Sequence, residues 1–214
     1  PCSTKWMKGT VNSFYIGIIA TVIATALGTL AALGLSRPHM PYKGLIMAIL
    51  ISPMIVPLII TAAGMFFFYA RINLVYTFTG VILAHVALAT PFVVITVTAT
   101  LVGFDMNMVK AAQSLGAKPM RTFFKVIMPL ILPGIISGAL FAFITSFDEV
   151  VIVMFMASID QLTIPKQMWA GIRQEISPVI LCMATCLVLL SIFLLTTVEL
   201  LRRRSEKLRG IKAR

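Results

Sequence analysis

Apolar residues fall along this chain in five long blocks, separated by short polar segments. The blocks cover about residues 11–36, 45–70, 80–101, 127–157 and 179–201. A helix that crosses a bilayer needs roughly 20 apolar residues, and each block supplies them. The pattern predicts an all-α membrane protein with a single transmembrane domain over residues 1–214 and five spans. Small residues recur along the first block (Gly17, Ala20, Ala24, Gly28, Ala31, Ala32), which favours close helix packing in lipid. The second block carries Pro53 and Pro57. Prolines survive in a span where neighbours or water satisfy the freed carbonyls, so a kinked helix facing the bundle interior is expected, as a gate or as packing. His85 and Pro91 lie in the third block, Pro129 and Pro133 in the first turns of the fourth. The histidine reads either as a packed, hydrogen-bonded side chain or as part of a transport route.

The segment over residues 102–126 is the longest polar one between blocks, and its periodicity is helical. It predicts two short helices, Asn107 to Leu115 and Pro119 to Met128. Gly116 suits the left-handed residue that ends the first, and Pro119 the first turn of the second. Ala111 and Ala112 make one face flat and small, while Lys110, Lys118, Arg121 and Lys125 make the segment basic. A small flat face lets another protein approach the backbone closely, which points to docking rather than catalysis. The competing reading is a basic amphipathic loop lying on anionic lipid.

Composition agrees with the membrane reading. The chain has 214 residues, 59% hydrophobic and 12% charged, against about 25% charged in a soluble domain. Its net charge of +11 does not point to nucleic acid, because the cations sit in the short segments between apolar blocks. Placing the 36–44 turn, the 102–125 loop and the tail on one side gives 13 Lys and Arg there and 5 on the other. The cation-rich side is expected to be cytoplasmic. That puts the C-terminal tail (202–214) in the cytoplasm and the N-terminus outside. Three cysteines without His or acidic neighbours make neither a zinc site nor a disulfide framework.

The chain carries no phosphate-binding Gly-x-x-x-x-Gly-Lys-Ser/Thr, no metal-ligand cluster and no nucleophile elbow. No catalytic, cofactor or metal site is expected. If transport is driven by ATP, ATP-Mg must be held on another polypeptide, gripped through the 102–126 loop. Ser146-Phe147-Asp148-Glu149 lie deep in the fourth block. An acid inside a span costs about 2.5 kcal/mol or more on the insertion scale, so Asp148 and Glu149 must face a cavity, a partner or water. One reading is a cation path lined by Phe147, Asp148 and Glu149. The other is a pair that fixes the bundle by bonding its neighbours. A third uses Asp148, Glu149 and His85 as the proton relay of an ion-coupled secondary transporter. Trp169, Arg173 and Glu175 fall in the polar segment after the fourth block, as a gate, a partner contact or an interfacial anchor.

Lys110-Ala111-Ala112, then Gly116, then Val126-Ile127-Met128-Pro129 resembles the EAA loop of ABC importer permeases: Glu-Ala-Ala, three residues, Gly, nine residues, Ile-x-Leu-Pro. The spacing matches throughout, with Lys110, Val126 and Met128 in place of Glu, Ile and Leu. Phe92 to Val97, Gly103-Phe104-Asp105, Ser146 to Val151 and Ile164 to Trp169 look like the PotC-like group, the second permease of spermidine/putrescine importers. The resemblance implies a type I importer bundle with cytoplasmic coupling helices in a bacterial inner membrane. It implies that Lys110, Ala111, Ala112, Leu115, Gly116 and Pro129 couple to the ATPase. A salt bridge from the missing Glu does not carry over. Expected partners are a second permease subunit, two ATPase subunits, a periplasmic substrate-binding protein and membrane lipid. Polyamines or related organic cations are the expected cargo. Relatives have six spans, so the resemblance also implies one further span before Pro1.

Overall fold

The structure is a computed structural model that describes residues 2–37, 40–102, 107–174 and 178–208. All regular elements among them are helical. They are α1 (Cys2–Leu35), α2 (Lys43–Ile55), α3 (Leu58–Arg71), α4 (Phe78–Val102), α5 (Asn107–Ser114), α6 (Pro119–Thr122), α7 (Met128–Phe147), α8 (Val151–Met156), α9 (Ile164–Gln174) and α10 (Pro178–Leu208). A π-helical turn, Phe123–Ile127, joins α6 to α7, and a 3₁₀ turn, Ile159–Gln161, precedes α9.

α1, α4 and α7 pack on one another and form the core. Their contact is made by small residues. On α1, Ala20, Ala24, Gly28 and Ala32 recur every fourth position and are all buried, which puts them on one stripe. On α7, Gly134, Gly138 and Ala142 do the same. A Cβ on Gly28 would lie 2.7 Å from Cβ of Val93. One on Gly138 would run into the Thr96 hydroxyl and lie 3.0 Å from Cα of Val93. Val93 of α4 therefore sits between two glycines, one from each neighbouring helix. With no hydrophobic drive between helices in lipid, such close backbone approach is what holds spans together.

Among the described residues, four helices are long and apolar enough to cross a membrane: Thr4–Leu35, Phe78–Val102, Pro119–Phe147 and Pro178–Thr197. The pair Lys43–Ile55 and Leu58–Arg71 makes a fifth only if a bend of 104° is counted within one span. This corrects the expectation of one kinked helix over 45–70. Pro57 forces Val56 into an extended conformation (ψ 136°), and the helix restarts on a new axis. They meet this chain's core only at its edge: α2 buries no residue, and α3 buries only Ala62, with Leu58, Met65 and Tyr69 half-buried against the core. α4 runs unbroken through Pro91. α10 is the most peripheral span, touching α7 and α9 along one edge. The expected fourth span over 127–157 is not one helix: α7 ends at Phe147, and the chain turns before α8.

Candidate functional site

The segment expected to grip a partner is built by its own punctuation. α5 closes with Gly116 N–H donating to Gln113 O (2.9 Å) and Ala117 N–H to Ala112 O (3.0 Å). Gly116 has φ +79°, the left-handed conformation that such a closure requires. Nothing lies within 4 Å of its missing Cβ, so the glycine is needed for its backbone and not for space. Leu115, just before it, is 88% exposed. Lys110 and Ala111 are exposed and Ala112 is half-buried.

After α5 the chain differs from the expectation of a second isolated helix. Pro119 opens α6 at its first turn, and the helix then continues to Phe147 without a break. The π turn makes this possible. Pro129 has no N–H for the carbonyl of Lys125, and its ring crowds that carbonyl. One residue earlier, Met128 N–H reaches back five positions to Phe123 O, widening the turn. Pro129 is exposed within this continuous helix, so α6 and the fourth span are one rod joined at a π turn, while α5 stays a separate helix before it.

The far end of that rod holds the acids. α7 stops at Phe147; Asp148 caps it with its N–H on Ile144 O (3.0 Å), and Val150 begins the next turn. Asp148 is exposed and Glu149 buried. Glu149 folds back so that Oε1 accepts from Ile152 N–H at 2.9 Å, satisfying a free donor at the start of α8. Phe147 is 7% exposed and packs on Phe14 (5.1 Å, edge-on) and Phe143 (5.3 Å, stacked), tying α7 to α1. Of the three residues expected to line a path, two are held by their neighbours and Asp148 is open. His85, 1% exposed, faces this break from α4. Its Nδ1 lies 2.8 Å from Ser146 Oγ, and its Nε2 has no partner. Sequence reading placed His85 and Ser146 in different blocks with nothing to pair them.

A second feature was also missed. The strap over 158–167 is stitched to the start of α1. Asn12 Nδ2 donates to Asp160 O (2.7 Å) and Leu162 O (3.0 Å), Ile164 N–H to Ser13 Oγ (2.9 Å), and Gln167 Nε2 to Lys5 O (3.1 Å). Lys166 Nζ donates to Val153 O (3.3 Å) and Ala157 O (3.5 Å) at the end of α8, where a cation complements the helix dipole. Burial lowers the pKa of this ammonium below its usual value. The strap presents α9 outward, with Arg173 stacked over the exposed Trp169 ring, 5.5 Å from its centroid. Glu175 lies outside the described residues.

With a bundle of small-residue contacts and an exposed short helix ahead of a continuous span on the page, the chain matches, over residues 24–207, a family described as the binding-protein-dependent transport system inner membrane component. The chain belongs to that family. It is the permease subunit of an ABC importer, a multi-pass membrane component, with ATP hydrolysis on a separate subunit. The permease is 29% identical to the spermidine/putrescine transport system permease protein PotC of Haemophilus influenzae, over 94% of this chain and 78% of that protein. It is 30% identical to the putrescine transport system permease protein PotI of Escherichia coli K12, over 86% of this chain and 71% of that one. Its fold is similar to that in the crystal structure of an amino acid ABC transporter with histidines, with a TM-score of 0.69 at 18% identity and 94% of each chain covered.

Proposed function

We propose that this permease forms half of a polyamine pathway, for spermidine, putrescine or a related organic cation. A second permease subunit supplies the other half, two ATPase subunits carrying ATP-Mg drive it, and a periplasmic binding protein delivers the cargo. α5 lies on the cytoplasmic side with the C-terminal tail. There Lys110, Ala111, Ala112, Leu115 and Gly116 dock the ATPase. Movement of the docked helix passes through the π turn at Pro129 into α7 and reaches Asp148, whose exposed carboxylate replaces part of an amine's hydration. Trp169 and Arg173 on α9 meet the binding protein.

The observation that carries the coupling is the unbroken helix Pro119–Phe147, because a rigid element with two discrete positions is what alternating access requires. The cargo reading is supported by relatives named for spermidine and putrescine and by an exposed acid at the end of that helix.

The test is uptake in proteoliposomes holding the full complex and its cognate binding protein. Labelled spermidine or putrescine should enter with ATP, resist competition by sugars, and stop with vanadate. Leu115→Asp should release the ATPase and abolish uptake. Vanadate-insensitive uptake driven by a proton gradient would overturn the reading in favour of an ion-coupled carrier.

A further inference from the structure

From Asn107 onward the coupling segment is charged on one sign only. Between Asn107 and Ile127 stand Lys110, Lys118, Arg121 and Lys125, with no Asp or Glu, and all four are exposed. Arg121 and Lys125 stand four apart in the continuous helix that Lys118 precedes as its extended N-cap residue. Among them project apolar tips: Leu115 is 88% exposed, Met120 68% and Phe124 56%. α5 buries no residue in this chain and packs chiefly on α6 and the π turn. Exposed apolar tips and exposed cations thus alternate along this stretch.

We propose that the ATPase surface receiving α5 is acidic, with carboxylates facing Lys110 and the Lys118–Lys125 stretch and a cup for Leu115. The proposal rests on the docking of the ATPase proposed above and names the chemistry of that contact. Apolar centres with charged rims are how protein interfaces set partner choice, since like charges across a contact cost several kcal/mol. Lys110 stands where the motif it resembles has an acid, so an ATPase surface matched to an acid there meets this chain with like charge. The choice of partner is therefore written in the rim. Anionic lipid is the weaker occupant. A helix that lies in a headgroup layer needs a broad face of large apolar side chains, whereas α5 is eight residues long, with Met108 and Val109 as its large apolar side chains beside Ala111 and Ala112.

The experiment uses the assembled complex, purified through a tag on this permease, and carbodiimide, which joins an amine to a carboxylate in direct contact. Wild type should give an amide between Lys110 or Lys118 and an Asp or Glu of the ATPase. Lys110→Arg, which keeps the charge without the reactive amine, should remove the Lys110 link. Lys110→Glu combined with Lys118→Glu should cut the retained ATPase at least tenfold, and retention by wild type should fall as salt is raised. ATPase retained by the double variant with no cross-link in wild type overturns the acidic surface while leaving the docking itself intact. Loss of retention confined to nanodiscs of anionic lipid, and absent in neutral ones, assigns the cations to headgroups and overturns it as well. If wild type retains no ATPase, or Leu115→Asp retains it fully, the docking reading fails instead.

Discussion

His85 of α4 and Ser146 of α7 are joined by a buried hydrogen bond of 2.8 Å between Nδ1 and Oγ, one residue before α7 gives out. Their positions are 61 apart in the chain, and the bond fixes where α7 ends relative to α4. Removing either partner strands the other in a buried site, which costs about 1–3 kcal/mol. His85→Phe and Ser146→Ala should therefore each lower the melting temperature of the purified complex. Being in contact, they should be non-additive, the double variant losing less than the sum by about 0.5 kcal/mol or more. A strictly additive pair would mean that the bond contributes nothing.

The glycines around Val93 make an asymmetric prediction. Gly28→Ala and Gly138→Ala both overfill the core and should cost about 1–3 kcal/mol each. The nearest obstacle to Gly138→Ala is the Thr96 hydroxyl, so Thr96→Ala should ease it. The obstacle to Gly28→Ala is Cβ of Val93, which alanine retains, so Val93→Ala should give little relief. Thermal unfolding of the two double variants checks the difference.

Asp148 and Glu149 should separate by assay. Glu149→Ala removes the cap of α8 and should destabilise by about 0.5–2 kcal/mol, while Glu149→Gln keeps an acceptor and should nearly retain wild-type stability. Asp148→Asn is expected to leave the melting temperature unchanged and to reduce polyamine uptake. Equal loss of uptake in Asp148→Asn and Glu149→Gln, with stability intact in both, would put both acids on the path.

Asn12→Ala breaks two hydrogen bonds between α1 and the strap. Hydrogen exchange over residues 158–165 should accelerate by about tenfold, the equivalent of roughly 1.4 kcal/mol of local opening. The core amides of α4 should not change. Uniform acceleration across α4 would show that the strap supports the whole bundle.

Much of this was readable in advance where one residue type forces one backbone geometry. Gly116 and Pro119 marked the end of α5 and the start of α6 because few residues serve there. The prolines of the fourth block misled. Pro129 and Pro133 read as the first turns of a new helix, whereas Pro119 had already started it and the π turn absorbed Pro129. The break after Phe147 was hidden for another reason. Two adjacent acids fit a continuous helix on paper, and only a carboxylate folding back onto Ile152 shows that the chain has turned. Val56-Pro57 carried a visible signal, yet the angle it produces depends on what α3 packs against. His85 and Ser146 lie 61 positions apart, and Asn12 and the strap about 150; no local pattern encodes such distant partners.

The helix from Pro119 to Phe147 has 29 residues, and at 1.5 Å of rise each it is about 43 Å long. Pivoted at its basic end, it turns a tilt of about 5° into a shift of roughly 4 Å at the carboxylate end, by that same length. A displacement of that size exceeds the width of a water molecule, so under the coupling proposed above a slight rocking at the basic end is enough to admit or exclude water at the carboxylate end.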